Sequence, residues 1–151
     1  MRAAFVIGRA IFGGFFVQSG LHHFQAREKL RQYAAAKGVS APDLAVVGSG
    51  ALILAGGLSV MTGIKPRQGL ASLVLFLVPV TLRMHRFWEV ADQKDQMNEM
   101  NNFMKNIALA GAALALMQIP EPWPASLEKA WSGEEDMYLR VDSRERLRLM
   151  A

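Results

Sequence analysis

The sequence predicts an all-α protein, a four-helix transmembrane up-and-down bundle with a short interfacial helix between spans one and two. Two observations predict it. Charge is segregated: Ala3 to Phe24 holds one charged residue, Arg9, and the windows Leu44–Ile64, Gln68–Leu82 and Ile107–Ile119 hold none. These windows are also apolar on every side, whereas a helix of a water-soluble bundle keeps a polar face. A helix apolar all round faces hydrocarbon or is a buried hairpin in a larger soluble assembly, and the windows point to the first. The average of 52% hydrophobic residues over 151 positions conceals this pattern.

A span needs roughly 20 residues. The first is expected at about 3–24. A cleaved signal peptide is the alternative there, but Arg9 interrupts the apolar stretch and Gln18-Ser19-Gly20 is a poor cleavage site, so the segment reads as retained. In QAREKLRQYAAAKGVSAPD, Leu30, Tyr33, Ala34 and Lys37 fall at helical spacing with Lys and Arg on the other side. That pattern fits a short amphipathic helix in the interface, and equally a solvated loop helix. Lys37-Gly38 stops it, and Ala41-Pro42-Asp43 starts span two, at about 43–63.

Span two carries a ridge of small residues, Ala51, Ala55, Ser59 and Gly63, that would let another helix of the chain approach closely. Ile64–Arg67 is a tight hairpin. Span three, about 68–86, contains Pro79, a kink that frees a backbone carbonyl. It reaches full length only with Arg83–Arg86 in the interface. A polar connection at 87–99 leads to span four, about 101–118, which needs Phe103–Asn106 for its length. Its small ridge is Ala108, Gly111, Ala112 and Ala115.

The division is therefore a membrane domain, 1–119, and a Pro/Trp-containing, charged C-terminal extension, 120–151. Prolines stop the helix after Gln118, and Trp123 and Trp131 suit a membrane–water interface as anchors. The final charged stretch reads as a docking arm for a partner or as a tail.

There is no cysteine, which excludes disulfides, thiolate metal sites and thiol catalysis. The net charge of +4 points, in a membrane protein, to anionic lipid headgroups rather than nucleic acid.

Alternating spans fix which ends share a side. The end of span one, the start of two, the end of three and the start of four lie together. That side holds all three histidines, His22, His23 and His85, with Arg83, Arg86, Trp88, Lys105 and Asn106. Ala10, Gly14, Gln18 and His22 form an i+4 stripe with Ser19 and His23 alongside; Thr81, His85 and Trp88 share a face of span three. Polar groups at membrane depth turn inward, because lipid offers them no partner. Gln18, Ser19, His22, Thr81 and His85 are thus expected to converge on a polar pocket, with Trp88, Lys105 and Asn106 beside it.

Such a pocket suits a quinone, which needs a hydrogen-bonding partner at each carbonyl and apolar walls, here Phe15, Phe16, Phe24 and Phe87. It also suits a lipid headgroup. Haem or pigment is a further option; His22 and His85 are the only plausible ligands for a metal or haem iron. The plain reading stands beside these. Arg83, Arg86 and Lys105 are adequately explained as interface anchors whose side chains snorkel. Arg9, on the opposite side, is expected to snorkel too.

GRAIFGGFFVQSGLHHF, YAAAKGVSAP, GSGALILAGGLSVMTGIKPR, FLVPVTLRMHRFW and FMKNIALAGAAL, in this order and spacing over about 5–118, resemble the DoxX family of small four-span membrane proteins. The resemblance rests on His22, His85, Trp88, Lys105 and Asn106; the chain departs from the common pattern after about 120. It implies a four-helix membrane bundle in a bacterial or archaeal plasma membrane. It implies function loosely, since relatives include subunits of thiosulfate:quinone oxidoreductase and quinol-oxidase assemblies and proteins of oxidative or thiol stress.

Three functions follow as expectations. One is an accessory subunit of a membrane electron-transfer assembly with a quinone- or lipid-binding pocket. A second is a non-catalytic scaffold that docks other membrane subunits through its C-terminal arm. A third is a haem or pigment carrier or a small transporter. No nucleophile–base pair, phosphate loop or carboxylate ladder points to an enzyme acting alone. Lys and Arg near the spans favour a cytoplasmic histidine side while the basic tail opposes it, so orientation stays open.

Overall fold

A computed structural model describes residues 2–127 and 130. The described chain is helical throughout, with no strand among the described residues: α1 Arg2–Gln25, α2 Arg27–Ala36, α3 Pro42–Thr62, α4 Pro66–Met84 and α5 Gln93–Leu116, with a single 3-10 turn at Phe87–Glu89. Three helical segments, Ala3–Gln25, Pro42–Thr62 and Pro66–Glu89, are long and apolar enough to cross a membrane.

The punctuation is local. Gly38, at φ +70°, takes the left-handed turn after α2, and the amides of Gly38 and Val39 bond back to the carbonyls of Ala35 and Ala34. Pro42 and Pro66 open α3 and α4 where no amide donor is needed. Asp92 caps α5, its carboxylate accepting from the amides of Lys94 and Asp95 at 3.0 Å each. That cap is why α5 begins eight residues before the position expected for span four. The added turns carry Lys94, Asp95 and Glu99, which sets α5 apart from the three apolar helices.

The helices pack in the order α1 on α3, α3 on α4 and α4 on α5, with α2 laid against the start of α3. At the α1–α3 seam backbones touch. A Cβ on Gly13 would lie 2.7 Å from the Gly57 carbonyl, and one on Gly57 2.7 Å from the Gly13 carbonyl. Such closeness makes up for the missing hydrophobic drive between helices in lipid. The core holds Phe16, Ile53, Val60, Leu70, Leu73, Leu77, Ala110, Ala113 and Trp123.

Several inward faces differ from expectation. On α3, Ala51 and Ala55 are exposed, while Gly50, Gly56 and Gly57 are buried. On α5, Ala108, Gly111, Ala112 and Ala115 all face outward, and Ala110 and Ala113 are the packed residues. Small residues suit lipid as well as they suit a helix contact, so their spacing alone does not fix the seam. Trp123 is 1% exposed rather than an interfacial anchor: the turn after α5 folds back, and its ring meets Phe5 edge-on at 5.2 Å. Arg9 does not snorkel. It is 5% exposed beneath that turn, and one Nη donates to the Ala125 carbonyl at 2.5 Å. Trp131 and the proposed arm at 131–151 lie outside the described residues.

Candidate functional site

At the histidine end, α1 to α5 border a partly open cavity of about 550 Å³, lined mostly by apolar side chains such as Phe15, Phe16, Leu52, Phe76 and Leu77. Its polar lining is Ser19 and His23 from α1, Tyr33 from α2, Ser49 from α3, Arg83 from α4, His85 just beyond it, and Lys105 and Asn106 from α5.

The two histidines are held by different groups. The His23 ring lies 2.8 Å through Nδ1 from the Ser19 carbonyl. A carbonyl only accepts, so Nδ1 carries the proton. The His85 Nδ1 lies 2.7 Å from Glu99 Oε2, and an ionised carboxylate likewise only accepts. Glu99 is a hub: its Oε1 also accepts from Lys37 Nζ at 3.0 Å and from the Tyr33 hydroxyl at 3.2 Å. Burial pushes the Glu99 carboxyl up, but the hydrogen bonds from His85 and Lys37 outweigh it and hold it below the ordinary value. Burial and the neighbouring Glu99 charge push the Tyr33 phenol up.

Asn106 is 8% exposed, lines the cavity, and its amide has no hydrogen-bond partner among the described residues. Lys105 Nζ donates to Asn102 Oδ1 at 3.1 Å. Arg83 donates to the Gly38 carbonyl and so ties α4 to the turn after α2.

Of the residues expected at the pocket, Ser19, His85, Lys105 and Asn106 line the cavity together. Gln18 and His22 are exposed and lie outside the lining. Thr81 is buried but spends its hydroxyl on the Leu77 carbonyl of its own helix, at 2.6 Å. Trp88 is half exposed and meets Phe87 and Phe103 edge-on. Arg86 bonds to the Leu82 carbonyl and pairs with Glu89 at 3.0 Å, consistent with a surface position. The pairing of His22 with His85 as ligands of one iron or metal does not form, because His22 faces outward and His23 takes the inner place. No group of three or more metal-ligating side chains exists among the described residues.

A family profile described as DoxX matches residues 4–86, more than half of the chain. The chain belongs to the DoxX family. No curated protein and no solved structure matches it. It is an integral membrane protein by its family and its apolar helices, and its outer surface contacts lipid. The DoxX match covers α1 to α4 and ends at Arg86, so Lys105 and Asn106 enter the cavity, and Glu99 reaches His85, from beyond it.

Glu99, Tyr33 and Lys37 are the site residues that sequence reasoning passed over. A signal for Glu99 existed. Asp92 followed three residues later by Asp95 marks a helix start, and a helix from that point places Glu99, Asn102 and Asn106 at i, i+3 and i+7 on one face.

Proposed function

We propose that this DoxX-family chain is a four-span accessory subunit of a membrane electron-transfer assembly in a bacterial or archaeal plasma membrane, and that its cavity takes the headgroup of a quinone-type amphiphile. One observation carries the reading. A cavity walled by aromatic and aliphatic side chains is lined by a few polar groups, among them two histidines, each anchored through Nδ1, and the Asn106 amide, which bonds to none of the described residues. Ligand sites have this composition, with apolar walls for area and a small number of placed polar groups for orientation. A lipid headgroup shares much of the chemistry, and Arg83 and Lys105 would suit its phosphate, but Arg83 is engaged by the Gly38 carbonyl and Lys105 by Asn102, and the anchored imidazoles and the neutral amide fit a neutral oxygenated ring better. His85, Lys105 and Asn106 then contact the ring, Ser19 and His23 face it from α1, and Glu99 positions His85. Electrons would pass to other subunits of the assembly.

Equilibrium binding of a short-tailed alkyl benzoquinone to the protein in lipid nanodiscs tests this. Saturable binding above empty nanodiscs is expected, with affinity about tenfold lower in Asn106→Ala, the size of one well-placed hydrogen bond. No saturable binding, or binding unchanged in Asn106→Ala, refutes it.

A further inference from the structure

The hydrogen bonds that hold His23 and His85 do more than orient the rings. They assign their protons. A neutral imidazole has one donor nitrogen and one acceptor nitrogen, and the partner of one decides the role of the other. Both rings spend Nδ1–H on a group that only accepts, the Ser19 carbonyl for His23 and the Glu99 carboxylate for His85. Both Nε2 atoms are therefore lone pairs in the neutral rings, and neither has a partner among the described residues. The rings come from different helices and line the same cavity. The third polar group, the unpartnered Asn106 amide, offers a carbonyl or an NH₂ according to what it meets.

We infer that the cavity selects a ligand head carrying O–H donors, and so binds a hydroquinone more tightly than the matching quinone. This rests on the quinone-type reading above and adds which redox form the site prefers. A quinone presents only carbonyl oxygens. Set against two imidazole lone pairs, these meet acceptor with acceptor, and the ligand must rely on donors such as Asn106 and Lys105, which serve either redox form alike. A hydroquinone presents two hydroxyls, each of which donates to an Nε2, while its oxygens still accept from the Asn106 NH₂. No electron or covalent bond moves in this step; the preference lies in binding alone. Glu99 acts as a positioning residue, because it touches the His85 ring and not the cavity.

The test uses the full chain in nanodiscs, kept under argon at one fixed pH for both ligands. Binding of one short-tailed alkyl benzoquinone is compared with that of its dithionite-reduced hydroquinone. The hydroquinone is expected to bind about tenfold tighter, the sum of two modest hydrogen bonds. His23→Phe and His85→Phe keep a ring of similar bulk without the lone pair. Each is expected to shrink the ratio while the quinone affinity changes less, which a merely structural loss would not do. Equal binding of the two forms to the wild-type protein, or tighter quinone binding, overturns the preference and leaves the quinone-type reading standing. Binding of neither form overturns both. A ratio unchanged in both variants overturns the role given to the histidines, and with it the inference.

Discussion

At the His23–His85 end, polar groups with unused hydrogen-bonding capacity, the half-buried His23 and His85 and the buried residue Asn106, border a cavity of about 550 Å³. At the other end Arg9 also keeps unused capacity, since its Nε and one Nη have no partner among the described residues, yet it is packed under Trp123, Ala125 and Ser126. The two unsatisfied sites differ in what surrounds them. Arg9 lies against the C-terminal end of α3: a Cβ on Gly63 would come within 2.7 Å of its Nη1. The helix dipole favours a cation there, so the guanidinium fastens the turn after α5 to the helices. An unpaired donor is a ligand signal where there is space beside it, and a structural fastening where there is none.

Three variants would break or sharpen this contrast. The largest effect is expected at the sealed end. Trp123→Ala removes a fully buried ring and its edge contact with Phe5, and should cost about 3–5 kcal/mol in unfolding stability. Quinone affinity at the opposite end should stay within about twofold at temperatures where the variant is folded. An equal loss of binding would mean that the two ends are not separable. Asn106→Leu should act in the other direction. It replaces a buried amide without a partner by an apolar group of similar size, and should raise thermal stability by about 1 kcal/mol while weakening ligand binding. A loss of stability would show that the amide is satisfied in the empty protein.

The smallest effect concerns Glu99. Its carboxyl is held below the ordinary value near 4.5 by His85 and Lys37, against the opposing effect of burial. In the window below 4.5 the unfolded chain therefore binds more protons than the folded one, and stability rises with pH there. The contribution is complete above 4.5 and is lost as pH falls through the lower folded value. Glu99→Gln should flatten this part of the stability profile, read by thermal unfolding from pH 3 to 6. A profile as steep as that of the wild-type protein would place the acid sensitivity elsewhere.

The placing of the apolar segments was legible because lipid imposes it: the expected spans at 3–24, 43–63 and 68–86 agree with α1, α3 and α4 to within about two residues at each end. The gathering of Ser19, His85, Lys105 and Asn106 was legible too, since alternating spans put their helix ends together. What was not legible was the rotation of each helix about its axis. The sequence offered the stripe Ala10, Gly14, Gln18 and His22, and every member except half-buried Gly14 is exposed. The buried stripe is Arg9, Gly13, Phe16 and Gly20, leading to His23 at the cavity. In water the polar side of a helix would have betrayed the difference; in hydrocarbon the outer face is as apolar as the inner, and the close backbone contacts of Gly13 with Gly57 and of Gly20 with Gly50 decide it. Glu99 was hidden for another reason, since it stands in a charged stretch that reads as solvated until Asp92 is recognised as a cap.

The bond from Arg9 to Ala125 spans 116 residues of chain. A ribosome makes the two ends of that bond on the order of ten seconds apart. Throughout that interval the first helix carries a guanidinium whose carbonyl partner does not yet exist, and headgroups or water must serve in its place. The cap closes only after α5 has been made and its turn has folded back, so burial of Arg9 marks the completion of the helical core during biogenesis.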